Sequence, residues 1–260
     1  MILSPETRHE LARELRKARL IEMQRIMPDQ RLNEKRDRTG ETYIDHLSGL
    51  QGTLNYVTKL PTAIVVDLGA GSSRAVAQIS RSKYGEGLTF LATGIVNDPE
   101  IDKHIGRSSY RITPAETMVG FDSSSIGGFI SVYGPFEHSA YLDQVLERTD
   151  ELLVPDGIIK LCIMKKMPGH DEQMNRIMVQ RYKKIEDFFK NRGYGLAIND
   201  WDIVDKIGTN RTFLGIKPGQ GEKDLDSLAR GIMEKDLMNL DTMKSGLSDS
   251  SYDVPYSAIT

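Results

Sequence analysis

The chain has 260 residues, of which 27% are charged and 39% hydrophobic, and its formal net charge is −3. It is long enough to bury a substantial core, and its composition is that of an ordinary globular domain. No run approaches 18 apolar residues, which excludes a membrane-spanning helix, and the balance of charge gives no overall electrostatic case for a nucleic-acid partner.

The charge is nonetheless uneven. Residues 1–40 hold ten Lys and Arg against seven Asp and Glu, whereas residues 221–260 hold four against eight. A basic N-terminal helix reads first as a solvated face, and second as a docking surface for an acidic partner. The single cysteine, Cys162, lies between Leu161 and Ile163 and reads as a packed core thiol. One cysteine forms no internal disulfide, which fits a reducing compartment, and the N-terminus lacks the apolar stretch of a secretory signal. The expected location is the cytoplasm.

Ser4-Pro5-Glu6 supplies a capping hydroxyl, a proline at the first helical position and an acid in the first turn. Leu11, Leu15, Ala18 and then Ile21 or Glu22 follow at helical spacing as far as Pro28. Residues 29–42 are polar and read as a loop, and a second helix is expected over 43–58. From residue 63 the rhythm changes to alternating strands and helices, the signature of a parallel sheet. Strands are expected at 63–67, 88–96, 110–113, 128–132 and 158–164, with helices at 73–82 and 139–153. Pro155-Asp156-Gly157 reads as a turn before the fifth strand. A long amphipathic helix follows, with Met174, Ile177, Met178, Tyr182, Ile185, Phe188 and Phe189 on one face and Gly193 as its C-cap. Two last strands, 196–207 and 212–216, form an antiparallel hairpin around Gly208-Thr209-Asn210. Residues 224–240 are expected to form a helix with Leu225, Leu228, Ile232 and Leu237 on one side. The last fifteen residues, rich in Ser and Asp, read as disordered. This gives a helical cap over 1–60, an α/β domain over 61–218 and a partly disordered C-terminal extension over 219–260.

The most informative stretch is Ile64-Val65-Val66-Asp67-Leu68-Gly69-Ala70-Gly71-Ser72-Ser73. An apolar run ends in an acid and passes into a Gly-x-Gly turn at the start of a helix. The glycines let backbone N–H groups approach a ligand, and the helix start favours negative charge there. A dinucleotide fingerprint needs a third glycine where this chain has Arg74, and no P-loop run occurs. The form closely resembles motif I of the class I S-adenosylmethionine-dependent methyltransferases. The resemblance extends from about residue 62 to 217 and implies a Rossmann-like α/β fold. In it, a seven-stranded, mostly parallel sheet carries an antiparallel edge hairpin and helices on both faces, with the N-terminal helical cap in addition. It also implies S-adenosylmethionine as cofactor.

On that resemblance, Asp67, Gly69, Ala70 and Gly71 contact the cofactor. The second strand of the family ends in an acid that grips both ribose hydroxyls, because a carboxylate offers two acceptors side by side. Here the aligned position is Val96, so Asn97 or Asp98, one and two residues later, takes the contact. Glu116 stands where the family places an acceptor near the adenine amino group, and reads equally as an ordinary loop acid. The run from Ser131 to His138 resembles the loop after the fourth strand, which puts Tyr133 beside the reacting centre. His138 is the candidate general base, since an imidazole titrates near neutrality, or else it caps the helix that follows. The remaining histidines, His9, His46, His104 and His170, are scattered without metal-ligand spacing, and no metal site is expected.

The resulting expectation is a methyltransferase acting on a small-molecule acceptor. Methylation of RNA or protein is one alternative. A non-catalytic scaffold that keeps the fold is the other, and Val96 is its best support. The polar segment around Arg38 to Tyr43 is expected either to help close the site or to belong to an edge-packed helix pair.

Overall fold

The computed structural model describes residues 4–26, 39–71, 73–94, 109–166, 172–202, 209–221 and 223–248. Seven strands form one sheet: β1 (Ile64–Leu68), β2 (Thr89–Gly94), β3 (Ser109–Ile112), β4 (Ile126–Val132), β5 (Leu153–Lys166), β6 (Gly195–Asp202) and β7 (Thr209–Ile216). Their order is β3-β2-β1-β4-β5-β7-β6. All pairings are parallel except those of β7, which runs antiparallel to β5 and β6. The expected edge hairpin is therefore present. The strand order reverses between β1 and β4, and in such sheets a crevice opens outside the carboxyl ends at that point.

Helices cover both faces: α1 (Pro5–Ile26), α2 (Gly40–His46), α3 (Gln51–Val57), α4 (Arg74–Arg81), α5 (Pro135–His138), α6 (Leu142–Leu152), α7 (Glu172–Asn191), α8 (Leu225–Met238) and α9 (Leu240–Ser248). On one face Val65, Phe90, Ile130, Ile158, Cys162, Leu214 and Ile216 pack against α2, α3, α4, α8 and α9. On the other, Val66, Leu68, Phe129, Ile159, Leu161 and Phe213 meet α6 and α7. No helix among the described residues is long and apolar enough to cross a membrane.

Several local expectations are corrected. The single helix over 43–58 is two, because Ser48 and Gly49 adopt left-handed backbone, φ 54° and 89°, and break it. A Cβ at Gly49 would lie 2.1 Å from the Asp236 carbonyl oxygen, so only glycine fits. Pro155-Asp156-Gly157 does not end a helix–strand loop. It is a bulge inside β5, with Asp156 at φ 63° and the register slipping between Ile126 and Gly128 of β4. The expected helix over 139–153 starts at Leu142, after the separate turn of α5. Ile177 and Leu237 are exposed, 48% and 41%, each one step round from the buried seams of Met178, Ile185 and Phe189 and of Ala229, Ile232, Met233 and Asp236. On α1 the cap Ser4 Oγ accepts from Thr7 N and Leu15 is buried, but Ala18 is exposed. At the C-terminus, residues up to Ser248 are helical, with Met243 and Leu247 buried. The end of the loop expected over 29–42 is instead helical, Thr39 capping the first turn of α2 from Gly40, while its residues 29–38, and Met174 as a core side chain, lie outside the described detail.

A buried ion pair joins three parts of the chain. Lys160 of β5 and Asp236 of α8 are both fully buried, Nζ 2.6 Å from Oδ2. Lys160 Nζ also donates to the Gly49 carbonyl at 2.9 Å, and Asp236 accepts from Thr53 N and Thr53 Oγ1 of α3. Burial pushes the Lys160 ammonium below its ordinary pKa, while Asp236 holds the proton on. Asp236→Ala strands that ammonium and is expected to cost about 3–5 kcal/mol of stability, while Lys160→Met combined with Asp236→Leu recovers most of it. Urea unfolding of the three proteins checks this. A loss under about 1 kcal/mol for Asp236→Ala would show the pair to be no stronger than a surface contact.

Candidate active site

Asp67 is the next-to-last residue of β1 and is 2% exposed. The turn after it runs through left-handed backbone at Gly69 (φ 79°), Gly71 (56°) and Ser73 (63°), which then opens α4. Gly69 N and Ala70 N donate to the Thr93 carbonyl at 3.1 and 2.9 Å, and Thr93 Oγ1 donates to the Asp67 carbonyl. The turn is thus braced on β2. A Cβ at Gly69 would come within 3.0 Å of Pro135 Cδ, because the turn after β1 and the loop after β4 approach each other here. Ser131 Oγ, donating to the Leu68 carbonyl at 2.7 Å, ties the same two segments.

Helix α2 lies over this point. Its N-cap is Thr39, whose Oγ1 accepts from Thr42 N. Gly40 N donates to Gln78 Oε1 of α4 at 2.5 Å, which pins the helix start. Tyr43, 4% exposed, donates from its hydroxyl to Asp67 Oδ1 at 2.5 Å. A charge-assisted bond of this kind holds the carboxylate in one orientation at the mouth of the crevice.

The loop after β4 begins with Tyr133 in left-handed backbone, φ 51°, its N–H donating to the Cys162 carbonyl. Burial, above all, and the neighbouring Cys162 push the Tyr133 phenol far above its ordinary pKa, so it remains an O–H donor. From outside, Arg181 of α7 donates to the carbonyls of Phe136, Pro135 and Ser139, and Glu137 Oε2 accepts from Met164 N at 3.0 Å. Arg148 of α6 likewise gathers the carbonyls of Thr117, Met118 and Phe121, shaping the loop after β3.

Of the residues singled out in the sequence, Asp67, Gly69, Ala70, Gly71 and Tyr133 come together at the carboxyl ends of β1 and β4. Glu116 is buried in the loop after β3 and accepts from Ser139 Oγ, which links that loop to the one after β4. His138 ends α5 with its side chain 62% exposed and Nε2 3.8 Å from Glu137 Oε1. Asn97 and Asp98 lie outside the described residues. Sequence reasoning missed His46, Arg148, Arg181 and Trp201. For the arginines no signal existed, because their partners are backbone carbonyls far away in the chain. The one available hint for His46 was its place three residues after Tyr43.

No protein-family model matches the sequence, and no curated protein matches it. Solved structures do. The Burkholderia thailandensis 1,6-didemethyltoxoflavin-N1-methyltransferase, determined with 1,6-didemethyltoxoflavin and S-adenosylhomocysteine bound, is similar over 84% of this chain and 92% of its own, at 16% identity and TM-score 0.53. A Galdieria sulphuraria protein assigned as a sarcosine dimethylglycine methyltransferase is similar over 67% of this chain and 85% of its own, at 13% identity and TM-score 0.51. Against a Haemonchus contortus phosphoethanolamine N-methyltransferase the chain spans about half of that protein, 52%, at 13% identity and TM-score 0.48. The first two likenesses show the fold: this chain has the Rossmann-like fold found in the class I S-adenosylmethionine-dependent methyltransferases.

Tyr43→Phe keeps the ring in its packing and removes one bond to a carboxylate. It is expected to cost about 1.5–3 kcal/mol of stability, read as a lower urea midpoint. An unchanged midpoint would mean that α2 is held over β1 without help from this bond.

Proposed function

We propose that the protein transfers the methyl group of S-adenosylmethionine to a small-molecule acceptor. The observation that carries this is the Asp67–Gly71 turn at the reversal of strand order, with the loop after β4 closing to 3.0 Å of a Cβ built at Gly69. The turn suits the methionine part of the ligand, since left-handed glycines at 69 and 71 leave the backbone at the carboxyl end of β1 without side chains, and glycine at 69 also avoids Pro135. In this reading Asp67, Gly69, Ala70 and Gly71 hold the methionine part. Asp98, or in its place Asn97, takes the ribose hydroxyls, Glu116 lies toward the adenine, and Tyr133 borders the reacting centre.

The bound sulfonium supplies an already electrophilic methyl group. What remains for the protein is to align acceptor, methyl and sulfur and to keep water out. Helix α2, with Tyr43 on Asp67, is suited to the second task. His138, the proton acceptor that the resemblance suggests, has its side chain largely exposed and is poorly placed to work in a site that keeps water out. The single buried Cys162 agrees with a cytoplasmic location. An RNA acceptor draws little support from the chain's overall charge of −3.

Calorimetric titration with S-adenosylhomocysteine tests the reading. Saturable binding is expected, and Gly69→Val should abolish it. Asp98→Ala is expected to weaken it about tenfold to a hundredfold, the loss of a charge-assisted pair of bonds. Absence of binding to the wild-type protein would favour the scaffold reading, and equal affinity in Gly69→Val would move the ligand elsewhere.

A further inference from the structure

Helix α2 carries a second ring besides Tyr43. His46, three residues on, lies on the same side of the helix. It stands edge-on to Tyr133, with ring centroids 5.1 Å apart at 88°, and edge-on to Trp201, 5.7 Å apart at 82°. Both distances fall in the range that edge-to-face aromatic pairs favour. Tyr133 follows β4, and Trp201 is the next-to-last residue of β6. Asn210, which pairs with Trp201 across the hairpin, and Cys162 of β5 lie against Tyr133. Trp201 Nε1 donates to Thr212 Oγ1 at 3.2 Å. This cluster lies at the carboxyl edge of the parallel strands, on the side where β1 presents Asp67. Its three rings are half-buried, and there is no lysine, arginine or carboxylate among these six residues. The carboxylate that acts on Tyr133, Glu137, is engaged by Met164 N.

The hydrogen bonding of His46 sets its chemistry. Nδ1 lies 2.6 Å from the Thr42 carbonyl oxygen. A carbonyl only accepts, so Nδ1 carries the proton and the lone pair of the neutral ring is on Nε2. An imidazole so oriented is a proton acceptor, whereas the Tyr133 phenol beside it is a donor.

We infer that the His46–Tyr133–Trp201 cluster is the wall of the acceptor site, that it takes a neutral, planar, ring-bearing hydroxyl compound, and that His46 Nε2 receives the hydroxyl proton. This rests on the methyltransferase reading above. An uncharged aromatic lining offers stacking and edge contacts to a flat ring and leaves a phosphate or carboxylate without compensation for its lost water. In the step, the acceptor's O–H bond breaks as its proton passes to Nε2, giving an imidazolium. The acceptor oxygen forms a bond to the methyl carbon, and the electron pair of the breaking carbon–sulfur bond stays on sulfur. The products are a methyl ether and the neutral thioether.

Trp201 is the chain's only tryptophan, so its emission reports on this wall alone. With S-adenosylhomocysteine at saturation, and at a pH low enough to keep free 4-nitrophenol un-ionised, the full-length protein is titrated with phenol, 4-nitrophenol and 2-naphthol, and with benzoate and choline as charged controls. The neutral compounds should change Trp201 emission saturably and bind about tenfold or more tighter than the controls. Bound 4-nitrophenol should show the absorbance of its phenolate in the wild type and lose it in both His46→Asn, which keeps a donor for Thr42, and His46→Gln. The affinity of both variants for S-adenosylhomocysteine should be unchanged, which shows them folded. If the variants fail that control, Tyr133→Phe replaces them and should weaken binding of the neutral probes. An emission unmoved by all three neutral probes, tighter binding of a charged control, or wild-type phenolate absorbance in the variants overturns the inference. Failure of the wild-type protein to bind S-adenosylhomocysteine overturns the methyltransferase reading instead.

Discussion

Lys160 cannot sit inside the sheet, between β4 and β7, unless something answers its charge. A fully buried ammonium loses solvation worth several kcal/mol, and only a carboxylate and carbonyls in good geometry return it. Asp236 of α8 and the carbonyl of Gly49, in the break between α2 and α3, do so here, from segments that follow and precede the sheet in the chain. The rest of the cap follows from this one demand. Gly49 must expose its carbonyl, so the chain breaks between α2 and α3. The Asp236 backbone must come close to Gly49, which admits no side chain there. Thr53 N and Oγ1 then donate to the same carboxylate.

The same arrangement sets where α2 ends. Ser48, next to Gly49, shares its hydroxyl with Thr212 of β7, and Thr212 also donates to the His46 carbonyl. The last turn of α2 is thereby fastened to the edge hairpin while its first turn is fastened to α4 through Gln78. Between these anchors Tyr43 reaches Asp67 and His46 reaches Tyr133 and Trp201. A buried charge within the sheet, level with Asp67 and two strands away from it, is therefore part of what roofs the crevice. The loops on the other side are shaped by arginines, Arg148 and Arg181, that collect carbonyl oxygens and leave the loop side chains to face inward or outward as packing requires.

The alternation of strands and helices was legible because a strand buried on both faces reads as an apolar run, as Ile64–Leu68 and Ile126–Val132 do. The Asp67–Gly71 turn was legible because its geometry needs glycine, and glycine is a local signal. The bulge at Asp156 was misread, since Pro-Asp-Gly specifies a bend without saying whether the neighbouring strand continues through it. Ile177 and Leu237 were misread because apolar residues one step off a seam look the same in sequence as those on it. The ion pair, 76 residues apart in the chain, left no trace that periodicity could find. Nor did the meeting of His46 with Trp201, which depends on where α2 is tethered.

The central claim is that α2 is the roof of a cofactor crevice rather than a helix packed at its edge. Hydrogen exchange followed by mass spectrometry, with and without S-adenosylhomocysteine, addresses it directly, because amide protection reports local opening of each segment. The account predicts slower exchange over residues 40–46 on binding, together with protection of residues 69–73. Protection confined to 69–73, with 40–46 exchanging as in the free protein, would contradict it.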